Sequence, residues 1–170
     1  MNADPRVVEH LPKYTSAAQS DAFADRIEAH FAAHGFGLWA LEVPGAQPFA
    51  GFVGLAVPTY EAHFTPCVEI GWRLAAEGWG HGFATEAARA VLDLGFERLG
   101  LAEIVSFTVP ANVRSRRVME KIGLVRDPAD DFEHPALPEG HPLRPHVLYR
   151  ASADGTRRRA DGRGARPLDR

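Results

Sequence analysis

A glycine-rich turn between an apolar strand pattern and an apolar helix pattern constrains this chain more than any other feature. The turn spans Glu77 to Ala84 and carries glycines at Gly78, Gly80 and Gly82. Glycines let backbone N–H groups face outward and let a ligand approach closely, and the start of the following helix adds partial positive charge. The turn therefore predicts an anion site suited to phosphates. A tight strand-to-helix turn without a ligand is the alternative.

The strand before the turn is predicted over Cys67 to Leu74. Because side chains alternate along a strand, Ile70 and Trp72 point to one face, whereas Glu69 and Arg73 point to the other. The helix after the turn runs to about residue 99, and its polar residues form one thin stripe. This helix is therefore expected to be largely buried against a sheet.

The remaining elements follow from apolar periodicity and turn residues. Their order along the chain, α-β-β-β-α-β-α-β, indicates an α/β layer fold with one core. They are a helix from Ala17 to His34, strands over 36–43, 49–57, 103–109, 124–126 and 146–150, and a helix from Asn112 to about Ile122.

Charge divides the chain of 170 residues into two parts. The net charge is −3, but residues 151–170 carry six arginines against three aspartates, so the tail holds +3 and residues 1–150 hold −6. The tail has almost no large apolar side chain and is predicted to be disordered. Residues 1–150 are predicted to be one folded domain. Its acidic charge makes nucleic acid an unlikely main partner.

The compartment and metal content are predicted from a few residue types. Cys67 is the only cysteine, so no internal disulfide forms and a reducing, cytoplasmic location is expected. The chain has no signal-peptide pattern and no apolar stretch long enough for a membrane helix. His134, His141 and His146 lack metal-ligand spacing, and no metal site is expected.

The order of the glycines excludes two common phosphate-binding motifs. No stretch has the G-x-x-x-x-G-K-[ST] pattern of an ATP-type P-loop. The dinucleotide pattern fails at its third glycine, where Thr85 stands. That pattern also requires an acidic residue at the end of the next strand, whereas Glu103 begins its strand.

The turn resembles motif A of the GNAT superfamily of N-acetyltransferases, Gln/Arg-x-x-Gly-x-Gly/Ala, read here as Glu77-x-x-Gly80-x-Gly82. Glu77 departs from the usual Gln or Arg, which removes a side-chain contribution but leaves the backbone amides. Residues 79–87 are similar to the branch that contains ribosomal-protein N-terminal acetyltransferases. A second stretch, 112–124, resembles another motif of the family and follows in the expected order.

The resemblance covers about Asn2 to Arg150. It implies an α/β fold with a mixed, mostly antiparallel central sheet and helices on both faces. Residues 2–8 look like the segment that follows the family's first helix, so the first strand and most of helix 1 are expected to be absent. An uncovered sheet edge invites pairing with another chain. Either Met1 is an internal methionine and the start is misassigned, or the protein is short, in which case poor solubility or a homodimer is expected.

The resemblance also implies acetyl-CoA as co-substrate. The pyrophosphate would lie on the amides of the glycine-rich turn, the pantetheine arm would pair with the preceding strand, and the start of the later helix would bind the same arm. The residues expected to bind the cofactor are Trp72, Arg73, Leu74, Gly78, Trp79, Gly80, His81, Gly82, Phe83, Ala84, Asn112 and Ser115.

For catalysis, the resemblance implies direct transfer to a primary amine, either a protein N-terminus or a small amine. Glu69 is the candidate general base, and an ion pair with Arg73 is the alternative reading of this carboxylate. A backbone N–H near Trp72 would receive the oxyanion. The family's usual acid, a Tyr, is replaced by Met119, so either Ser115 or water would protonate the thiolate, or no acid is needed.

The acceptor side is less defined by the sequence. A long loop carries Asp130, Asp131 and Glu133, which would suit a cationic amine, and a solvated acidic loop is the alternative. Tyr60 and His63, together with Trp39, are further candidates for the acceptor site. Two other functions stay open, a CoA-binding module without transferase activity and an N-terminally truncated, inactive fragment.

Overall fold

The computed structural model of the protein describes residues 1–11 and 16–154. Its helices are α1 (Ala17–His34), α2 (Phe83–Asp93), which continues as a π-helical turn over Leu94–Arg98, and α3 (Val113–Lys121). Its strands are β1 (Leu38–Val43), β2 (Gln47–Ala56), β3 (Glu69–Leu74), β4 (Glu103–Thr108), β5 (Val125–Arg126), β6 (Phe132–Glu133) and β7 (Pro145–Ser152).

The strands form a mixed sheet of seven strands in the order β1-β2-β3-β4-β7-β5, with β6 attached to β7. Within the described chain, β3 and β4 form the one parallel pair, and every other pair is antiparallel. This arrangement confirms the predicted mixed, mostly antiparallel sheet.

Helices cover both faces of the sheet. On one face, the ring of Phe23 in α1 lies 5.6 Å from the ring of Phe52 in β2. Val53, the next residue of β2, points to the opposite face, where α2 packs. Burial of each large apolar side chain there stabilises the fold by about 1.5–3 kcal/mol. The core on that face includes Leu55, Ile70, Ala88, Val91, Leu92 and Ile104.

The parallel strands β3 and β4 touch at a single register pair. Glu69 stands opposite Val105, and the Val105 N–H donates to the carbonyl of Val68 at 2.9 Å. On its other edge, β3 pairs with β2 along its whole length. Beyond Glu69, the edge of β3 that faces β4 has no strand partner. The sheet therefore opens between β3 and β4 towards their carboxyl ends.

The glycines of β2 allow neighbouring backbones to come close. A Cβ atom on Gly51 would lie 2.1 Å from the carbonyl oxygen of Arg73, and one on Gly54 would lie 2.0 Å from that of Gly37. Both contacts are far shorter than any side chain permits. Gly51 and Gly54 therefore let β1 and β3 pair closely with β2.

Helix boundaries agree with the sequence prediction better than strand boundaries do. Helix α1 begins and ends at the predicted residues, with the Ser16 hydroxyl accepting from the Gln19 N–H at 3.3 Å and Gly35 closing the helix at φ 75°. The last strand extends to Ser152, beyond the predicted end at 150, because Ser152 pairs with Glu103. Pairing with a neighbouring strand decides this boundary, and local sequence carries little of that information.

The loop predicted over 127–145 contains structure that the sequence did not indicate. Residues Pro128–Asp130 form a short 3₁₀ turn, and Phe132–Glu133 form strand β6. Phe132 pairs with His146 of β7. A two-residue strand has no periodicity to detect, so this pairing emerges only in the folded chain.

The first helix lies on the surface of the sheet. None of its residues is fully buried, and its apolar side chains at Phe23, Ile27 and Phe31 are half-buried. Strand β1 is an edge of the sheet. The absence of the family's first strand and the homodimer both stay predictions. No helix in residues 1–11 and 16–154 has the length and hydropathy of a membrane span. Of the predicted disordered tail, residues 155–170 lie outside the described residues.

Candidate active site

A cleft of about 530 Å³ opens where β3 and β4 diverge. The glycine-rich turn closes one end, the start of α3 forms a wall, and part of the N-terminal segment covers the rim. All the residues predicted to bind the cofactor or to act in catalysis line this single cleft. They are Glu69, Trp72, Arg73, Leu74, Gly78, Trp79, Gly80, His81, Gly82, Phe83, Ala84, Asn112 and Ser115.

The glycine-rich turn adopts the backbone conformation that an anion site requires. Gly80 and Gly82 have φ angles of 82° and 89°, a region that favours glycine, and Gly82 is the N-terminal cap of α2. Across the described residues, no backbone acceptor pairs with the N–H groups of residues 80–85. These donors lie at a helix start, where the helix dipole favours negative charge.

Two predicted amide donors are corrected by the structure. The N–H of Gly78 donates to the carbonyl of Ala75 at 2.9 Å, and the N–H of Trp79 donates to that of Ala76 at 3.2 Å. Both N–H groups are therefore hydrogen-bonded within the short 3₁₀ turn over Ala76–Gly78. Gly78 and Trp79 line the cleft, but the prediction that their amides bind phosphate was wrong, and the available donors begin at Gly80.

Basic side chains border the same end of the cleft. The guanidinium carbon of Arg114 lies 4.4 Å from the centre of the Trp79 ring, so a cation–π contact joins α3 to the turn. Arg117 and Lys121 follow on the same helix and also line the cleft, as does Arg6 from the N-terminal segment. Positive charge therefore surrounds the free amides.

Asn112 holds the start of α3 against β4. Its side-chain oxygen accepts from the Ser115 N–H at 3.2 Å, and its amide nitrogen donates to the Thr108 hydroxyl at 3.0 Å. Asn112 is therefore the N-cap of α3. The cap fixes Ser115 at the wall of the cleft. Contact of either side chain with a cofactor stays a prediction.

Glu69 enters the cleft as a half-buried carboxylate at the point where β3 and β4 meet. Burial raises the pKa of this carboxyl to about 8. Its predicted alternative partner, Arg73, donates to Asn2 at 2.8 Å and lies 5.4 Å from the ring of Phe52. Among the described residues, no salt bridge reaches Glu69. The carboxylate is therefore available to take a proton near neutral pH.

Met119 does not face the cleft. It is 1% exposed and packs in the core formed with α2 and the sheet. This position therefore contributes packing rather than proton transfer. Cys67 is not a candidate nucleophile either, because burial raises the pKa of its thiol to about 11.

A profile of the acetyltransferase (GNAT) domain family matches residues 1–125, most of the chain. The chain belongs to the GNAT family. It is therefore a transferase of the acetyl-CoA-dependent class.

Individual relatives of this GNAT protein are similar to it over part of its length. The Bacillus subtilis protein YkkB is 31% identical over 121 residues, 71% of this chain and 69% of that protein. An FsC-acetyl coenzyme A-N(2)-transacetylase of Aspergillus fumigatus is 42% identical over 94 residues, 53% of this chain and 39% of that protein. A crystal structure of a GNAT acetyltransferase from Bacillus anthracis matches with a TM-score of 0.71 at 23% identity, covering 90% of this chain and 85% of that one. This last likeness confirms the fold.

The acidic loop of this GNAT domain does not offer free carboxylates. Asp130 binds Arg150 at 2.7 Å, Glu133 binds Arg144 at 3.2 Å, and Asp131 is paired with Arg126. The pKa values of Asp130 and Asp131 are lowered, mainly by these hydrogen bonds to arginine. The interpretation of these carboxylates as a binding site for a cationic amine was wrong, because arginines of the same chain neutralise them.

Several residues of the cleft were not identified from the sequence. The basic residues at 114, 117 and 121 share one helical face, and that spacing was a usable signal. Ser106 and Phe107 of β4 line the cleft because β4 diverges from β3. Arg6 and His10 arrive from the N-terminal segment, and nothing in their local sequence indicates this position.

Proposed function

We propose that this GNAT protein transfers the acetyl group of acetyl-CoA directly to a primary amine. The observation that carries the proposal is the position of Glu69. This unpaired carboxylate with a pKa near neutral lies in the same cleft as the free amides of residues 80–85. A proton acceptor and an anion site at two ends of one cleft suit a two-substrate transfer between a phosphate-bearing donor and an amine.

The cofactor would lie along β3 in extended form. The free N–H groups of residues 80–85 would bind its pyrophosphate, supported by Arg114 and by the positive end of α2. The edge of β3 from Trp72 to Leu74, which has no strand partner, would hydrogen-bond the pantetheine arm as an added strand. The Leu74 carbonyl on this edge also accepts from the Trp79 indole N–H at 3.1 Å. Asn112 and Ser115 would contact the same arm from α3.

The chemistry requires one new bond, one broken bond and one proton transfer. The amine nitrogen attacks the thioester carbon, and the oxyanion that forms is stabilised by a backbone N–H near Trp72. Glu69 takes the proton that the nitrogen loses, directly or through water. The carbon–sulfur bond then breaks, and the CoA thiolate leaves or takes a proton from Ser115 or water.

The test measures release of the CoA thiol with acetyl-CoA and a panel of primary amines. The expected result is amine-dependent thiol release that falls at least about a hundredfold in Glu69→Gln, because general base catalysis contributes on the order of 10²–10⁴. Glu42→Gln, at an exposed carboxylate of β1, is the control. Unchanged turnover in Glu69→Gln would remove this residue from the mechanism.

A second function, a CoA-binding module without transfer, is favoured by the position of Met119 in the core. Because position 119 holds a buried Met, no side chain at that position can protonate the CoA thiolate. Calorimetry with CoA and the amine panel distinguish the two functions. Tight binding of CoA together with no acetyl transfer to any amine would favour the binding module.

We also propose a cytoplasmic location, consistent with the single cysteine Cys67. The homodimer is a separate proposal, supported by the edge position of β1. Light scattering of the purified protein across a concentration series tests it. A monomeric mass at all concentrations would contradict it.

A further inference from the structure

Five rings form a continuous wall on the sheet face that carries Glu69. We call this set the ring wall, and it consists of Tyr60, Phe107, Phe132, His134 and His146. The centroids of Tyr60 and His134 are 4.6 Å apart, those of His134 and His146 are 5.0 Å apart, and those of Phe107 and Phe132 are 5.5 Å apart. All five rings are half-buried, so the wall keeps exposed surface.

The ring wall adjoins the cleft through β4. Val105 stands opposite Glu69, and Phe107 follows two residues later, so it shares the face of Val105. Phe107 also lines the cleft together with Glu69. Pairing of Phe132 with His146 lays the rest of the wall beside Phe107. Phe107 is therefore the ring through which a molecule whose reactive group meets Glu69 can reach the ring wall.

The ring wall is uncharged at neutral pH. Burial lowers the pKa values of both His134 and His146, so both imidazoles are neutral. The carboxylates nearest in sequence, Asp130 and Glu133, are held by Arg150 and Arg144. The ring wall itself contains no carboxylate to pair with the several positive charges of a polyamine.

The Tyr60 hydroxyl adds a polar group to this apolar surface. It is buried, and among the described residues it has no hydrogen-bond partner. Burial raises the pKa of Tyr60, with the charge of Glu69 as the next cause, so the hydroxyl is neutral and lies within the field of that carboxylate. A buried hydroxyl without a partner is unfavourable, so a ligand that hydrogen-bonds it gains affinity.

We infer that the acceptor is a small monoamine carried on an aromatic ring, which stacks on the ring wall while its amine reaches Glu69. This inference rests on the proposed acetyl transfer. Stacked and edge-to-face ring pairs are favourable beyond the apolar area that they bury. The free amine attacks the thioester carbon, and Glu69 takes the proton that the nitrogen loses, as in the proposed transfer.

The first experiment compares kcat/KM for 2-phenylethylamine, n-hexylamine and spermidine at saturating acetyl-CoA. 2-Phenylethylamine and n-hexylamine are both monoamines and differ in the ring. The expected result is about a tenfold preference for 2-phenylethylamine over both others, the size that ring contacts of this kind give. Equal rates with the two monoamines, or spermidine as the best acceptor, would overturn the inference.

Two variants test whether the preference for 2-phenylethylamine comes from the ring wall. His134→Ala and Phe132→Leu should reduce the preference to below about threefold and raise KM for 2-phenylethylamine, with the Kd of CoA unchanged. Phe49→Ala removes an exposed ring on β2, outside both the cleft and the ring wall, and serves as the control. Tyr60→Phe keeps the ring but loses the hydroxyl, and KM for the amine should rise a few-fold. Thermal melts identify any variant that fails to fold. If His134→Ala or Phe132→Leu fails to fold, the KM of Tyr60→Phe for 2-phenylethylamine tests the inference in its place.

Direct binding separates this inference from the proposed transfer. Titration of the CoA-bound protein with 2-phenylethylamine measures binding without turnover. Binding that His134→Ala weakens, together with no acetyl transfer to any amine, would support the ring site while refuting the transfer. Acetyl transfer without a preference for ring-bearing amines would support the proposed transfer while refuting the ring site. A peptide N-terminus preferred tenfold over 2-phenylethylamine would also contradict a small-molecule acceptor.

Discussion

The guanidinium of Arg6 lies 3.2 Å from the carboxylate of Glu77, between Nη2 and Oε1, although the two residues are far apart in sequence. Glu77 occupies the first position of the glycine motif, where related proteins have Gln or Arg. Asp4 also holds the Arg6 guanidinium, at 2.6 Å, and Arg6 lines the cleft. At the glycine-rich turn, Arg6 therefore compensates the negative charge of Glu77 and Asp4, while the basic residues of α3 line the same cleft.

The ion pair between Arg6 and Glu77 predicts how CoA affinity should respond to substitution of either residue. Arg6→Gln should weaken CoA binding about threefold to fivefold, a modest effect because the pair is exposed and screened by solvent. The double variant Arg6→Gln/Glu77→Arg restores an arginine at the motif position and should recover the lost affinity. Calorimetry with CoA at low and at high salt measures both effects, and the loss should shrink at high salt.

Arg26→Gln is the matched control, since Arg26 is an arginine of α1 outside the cleft. Equal affinities in all variants would show that Arg6 does not contribute to the cofactor site. A double variant that binds no better than Arg6→Gln would mean that Arg6 holds the N-terminal segment in place rather than supplying charge.

The conformation of the glycine-rich turn predicts a second effect. Gly82 has a φ of 89° and space for a methyl group, and so does Gly100, which has a φ of 67° in the turn before β4. Alanine at either position should cost about 1–2 kcal/mol of stability, because left-handed backbone is unfavourable for a residue with a Cβ atom. Only Gly82→Ala should lose CoA affinity, since it alters the start of α2.

Chemical denaturation and CoA titration of both variants test this effect. Gly100→Ala is the control for backbone strain without a change at the cleft. Similar CoA affinities in the two variants would argue against a phosphate site on the amides of residues 80–85.

The sequence predicted the strand, turn and helix start at the glycine-rich end of the cleft well because their signal is local. A strand, a glycine turn and a helix start are contiguous, so the spacing of Gly80 and Gly82 already determines which way the amides face. The N-cap at Asn112 is local in the same sense. The short 3₁₀ turn that consumes the amides of Gly78 and Trp79 was missed, because the glycine pattern does not encode it.

The acceptor side was predicted poorly because its contacts are long-range. The acidic residues of the loop after α3 looked available in sequence, yet Arg144 and Arg150 neutralise two of them from β7 and the loop before it. The ring wall likewise depends on the pairing of β6 with β7. The partners of these contacts do not form a periodic pattern in any short stretch of sequence, so the sequence does not indicate that they meet.

The raised pKa of Glu69 predicts the pH dependence of the reaction. With a pKa of about 8, the carboxylate is ionised in about one tenth of the molecules at pH 7. The value of kcat/KM should therefore rise about tenfold for each pH unit up to pH 7 and level off above pH 8. Rates from pH 6 to 9 at fixed ionic strength measure the profile, and the residual activity of Glu69→Gln should lack this inflection. A wild-type profile that shows no inflection between pH 6 and 9 would contradict a buried base.

The same carboxyl links stability to pH. Its pKa is about 8 in the folded protein and near 4.5 in the unfolded chain, so folding takes up a proton between these two values. The protonated group is tolerated in the fold below pH 4.5, and the cost of a buried negative charge grows as pH rises towards 8. Glu69→Gln carries no charge, so it should be more stable than the wild type at pH 9, by on the order of 1–3 kcal/mol, and equally stable near pH 4.5. Urea denaturation of both proteins at pH 4.5, 7 and 9 measures the difference, with Glu42→Gln as the exposed control. A gain of stability that is the same at all three pH values would mean that packing, not charge, separates Gln from Glu at this position.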